Sequence, residues 1–142
     1  MKKFLAIICA ALLMTGCSGN SNAQEVKVMD SVKISINGQN FSATLEDNPS
    51  ARAFAEKLPL EVDMQELNGN EKYFYMESDL PSDSERVKQI HAGDLMLFGS
   101  NCVVIFYKDF QTSYSYTRLG KIEAADLEKI LGAGNVHVKF AK

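Results

Sequence analysis

The chain has 142 residues, a length that fits one domain and is short for two. Hydrophobic residues make up 46% of it, enough for a packed core, which excludes wholesale disorder. The net charge is −3 and no basic stripe runs through the chain, so nucleic acid is not an expected partner.

Residues 1–16 have the make-up of a removable segment. Met1, Lys2 and Lys3 give a positive start, and "FLAIICAALLM" is an apolar run of eleven. That run is too short to span a bilayer and has the length of a signal-peptide core. It leads into Thr15, Gly16 and Cys17. The stretch resembles a bacterial lipoprotein signal, with Met14 where leucine is usual and Leu13 beside it. The resemblance implies cleavage before Cys17, diacylation of Cys17, and a lipid anchor in a membrane of the bacterial cell envelope, on its periplasmic or surface side. Ordinary signal cleavage after Ala23 is the alternative, because "SNA" is an acceptable small-x-small site. Cysteine usage agrees with lipidation. Cys9 leaves with the signal, Cys17 is acylated, and Cys102 alone remains, so the mature chain has no intramolecular disulfide. Two acyl chains hold a protein where one binds only marginally. Loss of Lys2 and Lys3 leaves a mature net charge of −5. Such a body stands off anionic lipid on residues 17–25, a small, polar tether.

The domain is expected over residues 26–142. Val32, Ile34 and Ile36 alternate with polar residues, and so do Phe41, Ala43 and Leu45 after Asn37-Gly38. This is a strong hairpin signal, because both turn residues tolerate the positive φ of a type I′ turn. A helix follows, capped by Asp47 or Asn48, with Pro49 in its first turn and Pro59 at its end. Its Ala51, Phe54, Ala55 and Leu58 form one apolar stripe. Leu60, Val62 and Met64 alternate as a third strand, and "KYFYM" is a fourth, aromatic one. "ESDLPSDSERVK" is a polar loop long enough to be functional or mobile. "LMLF" and "CVVIFY" are apolar strands, the second expected to be covered on both faces. "YSYTRLGKI" is a seventh strand. Leu127, Ile130 and Leu131 mark a second short helix stopped by Gly132, and Val136, Val138 and Phe140 a closing strand. Eight strands with turns every eight to twelve residues indicate an all-β barrel or sandwich.

Four blocks, "DNPSARAFAEKLP", "ELNGNEKYFY", "AGDLMLFGSNCVVIFYKDF" and "YSYTRLGKI", occur in this order between Val32 and Phe140. Together they resemble the bacterial cyclophilin-like domain family of uncharacterised proteins. The resemblance implies a closed eight-stranded barrel with a short helix capping each open end. Cyclophilins proper are prolyl isomerases, but the parts of their groove are mostly missing here. "NEKYFYM", the counterpart of the arginine-bearing strand, has no arginine. There is no Gln-Gly-Gly, and Tyr116 stands where a histidine precedes the Gly120-Lys121 pair. A cation is needed to polarise the prolyl nitrogen against a barrier of about 18–20 kcal/mol. Arg118 is the arginine of the aromatic region, and it comes from a different strand.

Tyr114, Tyr116 and Arg118 are expected on one strand face, opposite Ser113, Ser115 and Thr117. With Tyr73, Tyr75 and Phe106 they form the candidate site for a peptide or small polar ligand. The bland alternative is an ordinary barrel wall in which these tyrosines pair across strands with Tyr73 and Tyr75. Cys102 has no obvious base, His91 and His137 being dispersed, and reads as a small core residue rather than a nucleophile. No spacing indicates a metal or a cofactor. The sequence therefore points to a membrane-anchored binding domain without catalytic residues. The alternatives are a weak prolyl isomerase and an accessory protein that binds another envelope protein.

Overall fold

Asn37 and Gly38, at φ 50° and 79°, close the first hairpin, between β1 (Ser31–Ile36) and β2 (Gln39–Leu45). The computed structural model describes residues 30–142; the signal segment, Cys17 and the tether lie outside the described residues. Within β1, Val32, Ile34 and Ile36 are almost completely buried, so the alternation read from the sequence is the alternation between core and exterior. Each such side chain contributes roughly 1.5–3 kcal/mol by leaving water.

The remaining large strands are β3 (Leu60–Leu67), β4 (Glu71–Tyr75), β7 (Asp94–Phe98), β8 (Cys102–Phe106), β10 (Ser115–Glu123) and β11 (Val136–Ala141). They pair in the order β2-β1-β11-β3-β4-β8-β7-β10, and β10 pairs back onto β2. The sheet is thus a closed, antiparallel, eight-stranded barrel, as the family resemblance implied. Closure leaves no free edge along the ring. The seam between β10 and β2 is tight at Gly120, opposite Leu45: a Cβ there would lie 2.4 Å from the Thr44 carbonyl oxygen. Just before it the β7–β10 register slips between Arg118 and Gly120.

Helix α1 (Pro49–Glu56) begins at Asn48, whose side chain accepts the Ala51 amide at 2.8 Å. Asp47 instead pairs with Arg52. Pro59 restricts the residue before it, and the helix stops short of that point. Phe54 enters the core edge-to-face with Phe140, ring centroids 5.5 Å apart. Helix α2 (Leu127–Leu131) buries Leu127 and Leu131 and ends at Gly132, which adopts φ 64°. Asn37, in the β1–β2 turn, donates to the Ile130 carbonyl of α2, whereas the other end of that hairpin leads from Leu45 into α1. The two helices therefore sit at opposite ends of the barrel. Lys72 of β4 is fully buried at the α2 end. It donates to the carbonyl oxygens of Gly132 and Gly134 and pairs with Glu66 at 2.7 Å.

Three short strands were not anticipated. β5 (Glu85–Arg86) adds to β10, while β6 (Gln89–Ile90) and β9 (Phe110–Gln111) pair as a separate ribbon. The polar loop contains β5, and the ribbon begins directly after it.

The candidate site on the outer wall

The barrel has two apolar clusters. One fills its interior; the other lies on the outer wall and comprises Ile90, Met96, Cys102, Val104, Phe106 and Tyr116. Alternation makes the second cluster unavoidable. On β8, Val103 and Ile105 point inward, so Cys102, Val104 and Phe106 point outward; on β7, Leu95 and Leu97 point inward, so Met96 and Phe98 point outward. The β6–β9 ribbon covers half of this wall. Ile90 is fully buried there, and Phe110 rests on Phe106 with centroids 5.6 Å apart.

The other half is uncovered. Among the described residues, the exposed large hydrophobic side chains are Leu67, Tyr75, Phe98 and Tyr114, at 42%, 67%, 46% and 64% exposure. All four line a single cleft of about 290 Å³. Tyr73 and Tyr75 form one wall, edge-to-face at 5.7 Å. Phe98, Tyr114 and Tyr116 form the other: Phe98 meets Tyr114 edge-to-face at 6.2 Å and Tyr116 in a tilted arrangement at 5.7 Å. Cys102 and Val104 of β8 lie between the walls, because β8 and β7 separate β4 from β10. Glu71 and Asn68 complete the lining beside Leu67.

Electrostatically the cleft is apolar with one acid. Burial, and then the Glu66 carboxylate, raise the Glu71 carboxyl above its ordinary range. Burial, helped by Glu71, pushes the Cys102 thiol up to about 11, so at neutral pH it is a protonated lining atom and a poor nucleophile. The Tyr116 hydroxyl is raised for the same two reasons. No group of three His, Cys, Asp or Glu side chains among the described residues is arranged to hold a metal ion.

The structure brings Tyr73, Tyr75, Tyr114 and Tyr116 around one cleft. Phe106 lies behind it, buried and edge-to-face with Tyr116 at 5.4 Å. Arg118 lines a different concavity, with Asp47, Asn48, Pro81 and Glu85, and its Nε pairs with Glu85 at 2.9 Å. The pairs Tyr73–Tyr75 and Tyr114–Tyr116 are not cross-strand neighbours, since two strands separate them. Tyr114 precedes β10 rather than lying in it, and Thr117, facing inward, accepts the Asp83 amide. Sequence reasoning missed Leu67, Phe98 and Glu71. The alternation of "DLMLF" could have found Phe98, since it places Phe98 on the face of Met96. Glu71 had no such signal: its burial depends on neighbours brought in by the barrel.

Comparison with known proteins bears on the fold. Residues 34–141 match the model of the cyclophilin-like family. Among solved structures the chain is similar to the solution structure of a hypothetical protein from Archaeoglobus fulgidus, with TM-score 0.54 and 17% identity, over 80% of this chain and 95% of that one. At that identity the likeness is one of fold. No curated protein matches the chain.

Proposed function

The chain belongs to the cyclophilin-like family, and from that premise we propose that the domain binds a ligand in the outer-wall cleft and does not transform it. The observation that carries this is the clustering of exposed rings. Leu67, Tyr75, Phe98 and Tyr114 would each gain by leaving water, and they share one concave site. Rings with two torsions each lose little freedom on binding, and tyrosine adds a hydroxyl for polar contacts. A peptide or a small polar ligand with one apolar face fits this lining. Catalysis of prolyl isomerisation would need a cation at the bound amide, and Arg118 is held by Glu85 in the other concavity.

The reading is tested by calorimetric titration with 3-phenylpropan-1-ol and with a capped Phe-Pro dipeptide, using wild type and the double variant Tyr75→Ala/Phe98→Ala. Binding by wild type and its loss in the variant are expected. Binding that survives the double substitution, or no binding of these probes or of their charged counterparts, would overturn it.

The proposal extends to location. The sequence of residues 1–17 supports a domain held at a bacterial envelope membrane by lipid on Cys17. Cys17→Ser is expected to release the protein from the membrane fraction; retention there would count against acylation.

A further inference from the structure

Binding by rings alone leaves Glu71 unexplained. Its side chain lines the cleft and the residue is 9% exposed. The structure gives it no hydrogen-bond or ion-pair partner among the described residues. Its neighbour Glu66 differs: that carboxylate takes Lys72 at 2.7 Å and the Tyr107 hydroxyl at 2.5 Å. Lys72, next to Glu71 in sequence, faces the other side of β4 and is engaged by Glu66 and by the Gly132 and Gly134 carbonyls. A carboxylate half withdrawn from water without a partner is disfavoured, and an opposite charge brought to it offsets part of that cost. Its upward-shifted carboxyl fits an anion lacking its counter-charge.

The rings point the same way. The faces of Tyr73, Tyr75, Phe98 and Tyr114 carry negative potential and attract cations, most strongly where water is excluded. Aromatic walls and an unpartnered acid therefore complement one ligand class. We propose that the cleft receives an organic cation, with an ammonium or guanidinium group against Glu71 and its apolar body along the rings. This rests on the cleft being the binding site and adds the charge of what it binds. The cation could be a free amine or a basic side chain of a peptide; the chemistry at Glu71 is the same.

The test compares 3-phenylpropylammonium with 3-phenylpropan-1-ol, which has the same body and no charge, by calorimetric titration of the full chain. For the peptide source, a capped Phe-Lys dipeptide is compared with its Phe-norleucine analogue. Wild type is expected to bind the ammonium at least tenfold more tightly than the alcohol, and Glu71→Gln to bring the ratio of the two affinities close to one. Preference for the lysine dipeptide alone would also support the proposal and would identify the source as peptide. Equal binding of charged and uncharged probes would overturn it while leaving the cleft a binding site. Failure of all four probes would overturn both readings. The wild-type comparison carries the test even where Glu71→Gln does not fold.

Discussion

Tyr116 and Arg118 stand two residues apart on β10, yet they serve different concavities. The tyrosine closes the aromatic cleft, and the arginine, tied to Glu85, borders the start of α1. Residues two apart on a strand share a face, but a face that wraps round a barrel is not one site. Arg118→Ala is accordingly expected to leave the affinity for 3-phenylpropan-1-ol within twofold of wild type. The exposed Arg118–Glu85 pair contributes at most about 1 kcal/mol to stability. A tenfold loss of affinity in this variant would return Arg118 to the site.

Gly120 sits where the barrel seam leaves no room for a Cβ. Alanine there would bring its Cβ against a backbone carbonyl, that of Thr44, which has no flexible end to move aside. Gly120→Ala should cost about 1–3 kcal/mol in denaturant unfolding, the range for overpacking. An unchanged midpoint would mean that β10 and β2 are not joined there.

Lys72 holds the α2 end. Removing it leaves the Glu66 carboxylate with the Tyr107 hydroxyl as its partner and takes the ammonium from two carbonyls. Lys72→Ala is expected to destabilise by about 3–5 kcal/mol, the cost of breaking a buried pair from one side. Thermal unfolding reads this directly, and a loss below about 1 kcal/mol would place the ammonium in water.

Two acid–base sites predict separate pH effects. His137 bridges Glu61 and Asp63, both at 2.7 Å. Hydrogen bonding to Glu61 and then to Asp63 raises its pKa above 6.5, and hydrogen bonding to His137 lowers that of Glu61 below 4.5. The histidine's contribution is complete below 6.5 and fades as pH rises through its folded value. The glutamate's is complete above 4.5 and fades as pH falls through its own. The cluster therefore stabilises most between about 4.5 and 6.5, and His137→Gln should flatten the melting-temperature profile in that window.

Glu71 has the same sign as His137 and the opposite sign to Glu61. Its folded pKa is raised, so stability present at low pH is lost as pH rises through that value. The charged and titratable groups that act on it are Glu66 from β3, Cys102 from β8, Tyr107 just beyond β8 and Tyr116 from β10, with Lys72 turned away beside it. Glu71→Gln should raise the melting temperature at pH 8 and leave it unchanged at pH 4. A drop at pH 8 would reveal a partner for the carboxylate in the folded protein.

The eight barrel strands and both helices were legible in the sequence, because each declares itself locally. Alternation in Val32–Ile36, the Asn37-Gly38 turn and the cap-and-proline signals of α1 need no distant partner. The candidate site was half legible. The tyrosines announced an outward aromatic face, and β8 announced burial on both sides. What covers that face was not legible: Gln89–Ile90 and Phe110–Gln111 are two-residue strands whose only signal is their pairing with each other. Without them one cannot tell that Phe106 is sealed under Phe110 while Phe98 stays open. Glu71 reads as a solvated strand end until the barrel packs around it.

The central claim is that the uncovered half of the outer wall is where a ligand sits. Intermolecular nuclear Overhauser effects from bound 3-phenylpropan-1-ol test it most directly. Contacts from the probe's ring protons to the rings of Tyr75, Phe98 and Tyr114 are predicted. Contacts confined to the Arg118 concavity, or none at saturating probe, would contradict the account.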